Sequence, residues 1–320
     1  MLWLIVLKVI VMDKSNLDNT IEEDENLAEE VCKISYEALL KARDMIKPGV
    51  KLLDVAEATE SYVIGKGYEV AFPLNLSIDN EAAHYTPSYM DDKVFGEKDL
   101  VKVDFGAAKN GYLGDCALTV DLSGEYGKLV DATKEALENA VSIVRAGRKV
   151  KEIGKEINST FERLGFRPIE NLGGHGVNLH ELHAEPFIPN YDNGDDAELE
   201  EGRRIAIEPF ATLKQSRGLV TETDVAEIYS FSDNISPRLP AARHVLSSIM
   251  EKYPSEPFAA RWLSEGMKSK FELYSGIREL EKIGALDSYP VLAEVSRGMV
   301  AQTEFELLVE KDSCKVLTKI

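Results

Sequence analysis

Shifted against itself by 98 positions with no gap, the chain places Glu37, Ala38, Leu39, Ala42, Gly49, Lys51, Ser61, Gly67 and Leu74 on identical residues at 135, 136, 137, 140, 147, 149, 159, 165 and 172. Ile46, Val55 and Tyr68 fall on the similar Val144, Ile153 and Phe166. Chance seldom gives such agreement over about forty positions, and an internal repeat restricts the fold to one whose halves are alike. Apolar residues at i, i+3, i+4 spacing predict helix pairs at 27–46 and 51–66, then at 128–145 and 149–164. Pro48-Gly49 and Gly147 are the breaks within the pairs. A strand follows each pair, so the expectation is an α/β (α+β) fold of two duplicated halves, with a ligand site at their junction.

At 320 residues with 44% hydrophobic content, the chain is long enough for a full enzyme core. The net charge of −19 argues against nucleic-acid binding driven by the whole surface. Cys32, Cys116 and Cys314 form neither a disulfide framework nor a Cys-x-x-Cys knuckle, which points to a reducing compartment. Residues 1–12 are apolar apart from Lys8, too short to span a bilayer, and neither a basic region nor a cleavage site flanks them. The expectation is that 1–24 form an N-terminal extension whose first part lies upstream of a true start at Met12.

Asp104, Asp115, His175, Glu208 and Glu304 each sit in a short apolar or glycine-rich stretch. A carboxylate among apolar neighbours is costly to desolvate unless a cation neutralises it. Leu100 to Gly106, Asn110-Gly111 and Leu113 to Val120 read as strand, turn and strand, because Asn-Gly is the strongest short hairpin signal. A two-residue turn there pairs Asp104 with Ala117 and sets Asp115 diagonally across on the same face, with Cβ atoms about 7 Å apart. Two inward carboxylates at that spacing suit a dinuclear site with ions about 3.5 to 4 Å apart. The alternative is a hairpin with two solvated aspartates and, for Glu304, a sheet edge with Gln302, Glu304 and Glu306 facing water.

His180-Glu181-Leu182-His183 is not a zincin motif, which needs His-Glu-x-x-His on a helix; here the imidazoles are three residues apart among glycines. His180 and His244 read as surface or packing residues. Together, Asn75 to Pro87, Val103-Asp104-Phe105-Gly106, Gly114-Asp115-Cys116-Ala117, Gly174-His175, Leu182-His183-Ala184, Ile207-Glu208 and Ala301-Gln302-Thr303-Glu304 resemble the methionine aminopeptidases over residues 25–318. That family has the pita-bread metallopeptidase fold, with pseudo-twofold halves. The resemblance implies that Asp104, Asp115, His175, Glu208 and Glu304 hold two divalent ions, Co, Mn, Fe or Zn. Asp115 and Glu304 would bridge them, Asp104 would chelate one, and His175 with Glu208 would complete the other. It also implies His84 and His183 as substrate-binding and catalytic donors, Glu208 as the proton shuttle, and Phe72, Phe210, Tyr289 and Leu292 as walls of a methionine pocket.

Residues 232–297, with Pro237, Pro240, Pro254 and Pro257 and helix-like stretches near 239–252, 256–265 and 271–284, read as an inserted helical, winged-helix-like subdomain. The rest of the catalytic domain is 25–231 and 298–320. Such an insertion resembles the type 2 enzymes, and the short N-terminal region resembles archaeal ones. The resemblance thus implies an enzyme that removes N-terminal methionine from nascent polypeptides, at the ribosome, when the second residue is small, by attack of a hydroxide activated at a dinuclear centre; a cytoplasmic monomer is the accompanying expectation. The abundance of glutamate in the insertion argues against DNA binding, and no stable membrane association is expected. Rival readings are a prolidase or aminopeptidase P-like peptidase and a non-catalytic binding protein of the same fold. The sequence departs from the family pattern at Gly176-Val177 and at Glu185, which bears on loop geometry rather than on the donors.

Overall fold

The computed structural model describes residues 25–318. The proposed extension at 1–24, with the Met12 start, lies outside the described residues. The first half comprises α1 (Glu25–Met45), α2 (Leu52–Gly65), β1 (Glu69–Ile78), β2 (Glu81–Ala83), β3 (Leu100–Lys109), β4 (Tyr112–Leu113) and β5 (Cys116–Asp121). The second begins with α3 (Gly127–Ile143), α4 (Val150–Leu164), β6 (Phe166–Pro168), β7 (Gly173–Asn178), β8 (Glu181–Pro189), β9 (Arg204–Ile207), β10 (Phe210–Leu213) and β11 (Val220–Phe231). After these come α5 (Pro240–Lys252), β12 (Phe258–Ala259), α6 (Lys270–Lys282), β13 (Leu286–Glu294), β14 (Val300–Gln302), β15 (Phe305–Val309) and β16 (Cys314–Val316).

The four helices of the repeat begin and end within two residues of the expected bounds. The duplication also extends to hydrogen bonding. Gly49 N donates to Phe95 O at 2.8 Å and Leu52 N to Lys93 O at 3.1 Å; 98 residues later Gly147 N donates to Leu199 O at 2.8 Å and Val150 N to Ala197 O at 2.9 Å. Gly49 and Gly147 adopt φ of +82° and +75°, where a Cβ would be strained. The ion pairs repeat too, Lys51 with Asp92 at 2.7 Å and Lys149 with Asp196 at 2.8 Å. Being exposed and screened by solvent, each contributes little to stability.

Each half has its own core. Val31, Leu39, Leu52, Val55, Leu74, Val103 and Phe105 join α1 and α2 to β1 and β3. Leu137, Ile153, Ile157, Phe161, Ile205, Ile207 and Leu307 do the same for α3, α4, β9 and β15. Full burial of one such side chain stabilises by about 1.5–3 kcal/mol, so these cores hold each half together and fix which way its strands face.

β3 is flanked by β1 on one side and by β4 and β5 on the other. Asn110 and Gly111, at φ of +52° and +85°, make the two-residue turn, and Asp104 pairs with Ala117 as expected. A second sheet runs β16-β15-β9-β7-β8, and a third β14-β10-β6. The halves meet where Ala117 bridges Glu304 and where the Thr119 hydroxyl donates to Gln302 O at 2.7 Å. Gln302, Glu304 and Glu306 are all buried, which removes the alternative of a solvated sheet edge.

Around Val245, Ile249, Phe258, Leu273, Ile277 and Leu280 a third core joins α5 and α6 to β12. The stretch expected as a helix at 256–265 is instead β12 followed by a short 3-10 turn, Ala260–Leu263. Phe258 and Ala259 take up backbone pairing with Tyr229 and Ile228 of β11, which prevents helix formation there. β13 then returns to pair with both β11 and β2, carrying this region back to the first half. Among the described residues no helix is long and apolar enough to cross a membrane.

Candidate metal centre

The strand pattern that builds the cores also turns five donors inward. Asp104 lies on β3, Asp115 just before β5, His175 on β7, Glu208 just after β9, and Glu304 between β14 and β15. All five line one cavity of about 670 Å³. Donor atoms of Asp115, His175 and Glu304 lie within 4.8 Å of one another. His175 Nε2 is 3.5 Å from Asp115 Oδ2 and 3.8 Å from Glu208 Oε1. Asp104 and Glu208 stand beside this group, and Gln302 spans them, its Nε2 3.2 Å from Glu208 Oε2 and 3.5 Å from Asp104 Oδ2.

The electrostatics of the cluster call for a cation. Burial raises the Asp104 carboxyl to about 7. Burial first, and neighbouring carboxylates second, raise Asp115, Glu208 and Glu304 well above the ordinary range. Asp104 Oδ1 and both Glu304 carboxylate oxygens are buried with no hydrogen-bond partner among the described residues. Native proteins seldom leave such atoms unpaired. Hard carboxylate oxygens with one imidazole form a donor set suited to divalent ions. His175 Nδ1 lies 3.0 Å from Gly176 O, so Nδ1–H donates there and Nε2 is left to bind. Burial lowers the basicity of this ring to about 4, which keeps it neutral and able to ligate at neutral pH.

A support lies behind the donors that the sequence did not disclose. Glu306 accepts from Asp115 N at 3.0 Å and pairs with the buried Arg204 at 3.0 Å. Its only signal in the sequence is a position two residues after Glu304 in a strand of alternating side chains. Gln302, two residues before Glu304, carries the same weak signal.

The remaining expected residues line the same cavity: His84, His183, Phe72, Phe210, Tyr289 and Leu292. His183 packs edge-on against His175, with ring centroids 4.5 Å apart. Its ring opens onto the cavity, whose walls and neighbouring histidines depress its basicity. His84 adopts φ of +67°, an uncommon conformation for a residue with a Cβ. Its N–H donates to Asn75 Oδ1 at 2.7 Å, and Pro290 O accepts from Nδ1 at 3.2 Å. Burial lowers its basicity as well. His180 and His244 lie on the surface, near Glu256 and the Glu265 carbonyl.

Two facing α/β halves with buried carboxylates and an imidazole at their junction define a protein of duplicated architecture with a candidate divalent-metal centre between its halves. The chain belongs to metallopeptidase family M24, whose profile matches residues 26–233. It is 45% identical to the methionine aminopeptidase of Archaeoglobus fulgidus over 290 residues, covering 91% of this chain and 97% of that protein. Among solved structures it resembles the methionine aminopeptidase of Thermotoga maritima at a TM-score of 0.66 and 25% identity, over 91% and 95% of the two chains. Prolidase from Pyrococcus furiosus shares the fold at a TM-score of 0.59 and 20% identity, over 93% of this chain and 64% of that one. The fold is the pita-bread fold.

Proposed function

We propose that the protein is a methionine aminopeptidase of type 2, acting on N-terminal methionine followed by a small residue. The observation that carries this reading is the convergence of Asp104, Asp115, His175, Glu208 and Glu304 on one cavity, in a chain that matches a methionine aminopeptidase along nearly its whole length. Prolidase-like and purely binding roles are weaker, because the likeness to prolidase is that of fold alone and the donor set is complete. The subtype reading rests on the stretch 232–297 between the last two donors, which we read as an inserted subdomain on a catalytic platform of 25–231 and 298–320.

Asp104, Asp115, His175, Glu208 and Glu304 would together hold two divalent ions, Co, Mn, Fe or Zn, the four carboxylates and one imidazole supplying the donors. When bound, the ions supply a Lewis acid and acidify water towards neutrality. The protein's own groups do the rest. Glu208, at the cavity wall, accepts a proton from the nucleophile and returns it to the leaving amine. His183 presents an imidazole N–H towards the developing oxyanion, which needs a donor about 3 Å away, while His84, whose Nδ1–H is taken by Pro290 O, offers its Nε2 to the substrate as an acceptor. Phe72, Phe210, Tyr289 and Leu292 enclose the first side chain, and aromatic edges suit a polarizable thioether. We read the working context as the cytoplasm, with a monomer meeting nascent chains at the ribosome.

The test is methionine release from Met-Ala-Ser by chelator-stripped protein with added Mn or Co. Peptides with proline second or with a different first residue serve as controls. Metal-dependent release from the first peptide alone supports the proposal. Cleavage only before proline moves the assignment to prolidase relatives, and no cleavage by folded, metal-loaded protein leaves a binding role.

A further inference from the structure

A buried ion pair outside the cavity lining ties the stretch 232–297 to the platform. Arg261, in the 3-10 turn, pairs with Glu60 of α2, and both side chains are almost fully buried. Trp262 Nε1 donates to the second oxygen of Glu60 at 2.9 Å, and Leu74 N donates to the first at 3.2 Å. The other arm of Arg261 reaches Thr86 Oγ1 at 2.8 Å and Pro87 O at 3.1 Å. The Thr86 hydroxyl in turn donates to Leu74 O at 2.8 Å. These groups enclose the segment that carries His84. Asn75 holds the His84 N–H, and Leu76 N donates to Tyr85 O at 2.7 Å.

A buried pair of this kind is a weak source of stability, because desolvation offsets most of the attraction. Its geometry suits another purpose. His84 sits at a positive φ, which costs energy and persists only when its surroundings over-determine it. Two devices from 232–297 supply that constraint. Pro290 of β13 fixes the ring through Nδ1, and Arg261 holds the Thr86 hydroxyl and the Pro87 carbonyl two and three residues later. Lys in place of Arg would keep the charge and lose the planar fork that reaches Glu60, Thr86 and Pro87 together.

We infer that Arg261, held by Glu60, is a positioning residue that sets the direction in which His84 presents its free nitrogen to the cavity. The inference rests on the reading of His84 as a substrate-facing residue. It assigns the region 232–297 a share in catalysis as well as in the cavity wall.

The experiment is a double-mutant cycle on methionine release at saturating Mn, combining Arg261→Lys with His84→Ala. Thr86→Val serves as a second, milder variant that leaves the ion pair in place should Arg261→Lys fail to fold. Arg261→Lys is expected to lower kcat about ten- to a hundredfold. KM and metal content should change little, and the ¹⁵N signature of the His84 tautomer should shift. In the His84→Ala background the same change should cost nothing further. Full additivity of the two losses, or an unchanged kcat with Arg261→Lys and Thr86→Val, overturns the inference while leaving the role of His84 intact. Full activity of His84→Ala removes the role of His84 itself, and the inference with it.

Discussion

The Glu304 N–H donates to the Ala117 carbonyl at 2.9 Å, and Ala117 is also the strand partner of Asp104. One short bridge thus sets a carboxylate from the end of the second half beside two from the first. Asp115→Ala is expected to abolish both metal binding and methionine release, as measured by metal content after dialysis and by peptide assay. Retention of both would remove Asp115 from the donor set.

The metal-free protein should lose stability as pH rises. Asp104 has a folded-state pKa raised by burial from 3.8 to about 7. A raised carboxyl pKa means that folding favours the protonated form; that contribution is fully present below 3.8 and is lost as pH rises through about 7. Thermal melts of chelated wild type and Asp104→Asn from pH 4 to 8 should therefore diverge, the variant gaining relative stability towards high pH. Added Mn should restore the wild type most at the alkaline end. Parallel melting curves would contradict this account of the site.

His183 packs on His175 without being one of the expected donors. His183→Ala should keep its metal and lose about a hundred- to a thousandfold in kcat, as removal of an oxyanion donor does. Metal loss in this variant would mean that His183 supports the ion instead.

A Cβ at Gly106 would lie 2.0 Å from Gly114 O and 2.7 Å from the Phe72 ring. Gly106→Ala should destabilise by about 3 kcal/mol or more, since backbone on one side and a pocket wall on the other leave little room to shift. Urea unfolding would measure this, and a loss below about 1 kcal/mol would show that the hairpin relaxes more than overpacking normally allows.

The sequence disclosed the features that have local or periodic signatures. The repeat located the helix pairs because Gly49 and Gly147 mark equivalent turns. Asn110-Gly111 set the register that places Asp115 diagonal to Asp104. Buried acids stood out because apolar residues surround them. Partners distant in sequence gave no such signal. Glu60 and Arg261 are 201 residues apart, and each alone reads as an ordinary surface charge. The same applies to Arg204 and Glu306, which meet only once β15 pairs with β9. The 256–265 stretch misled for a related reason: its helical spacing lost to pairing with β11, a contact that local propensity does not contain.

The seam through Glu304 also has a consequence for the timing of the protein's own synthesis. Asp104, Asp115, His175 and Glu208 leave the ribosome well before residue 304 does, and the Glu304 strand then has to find Ala117 on a hairpin made long before. The cluster of carboxylates is therefore assembled only when nearly all of the chain has been translated.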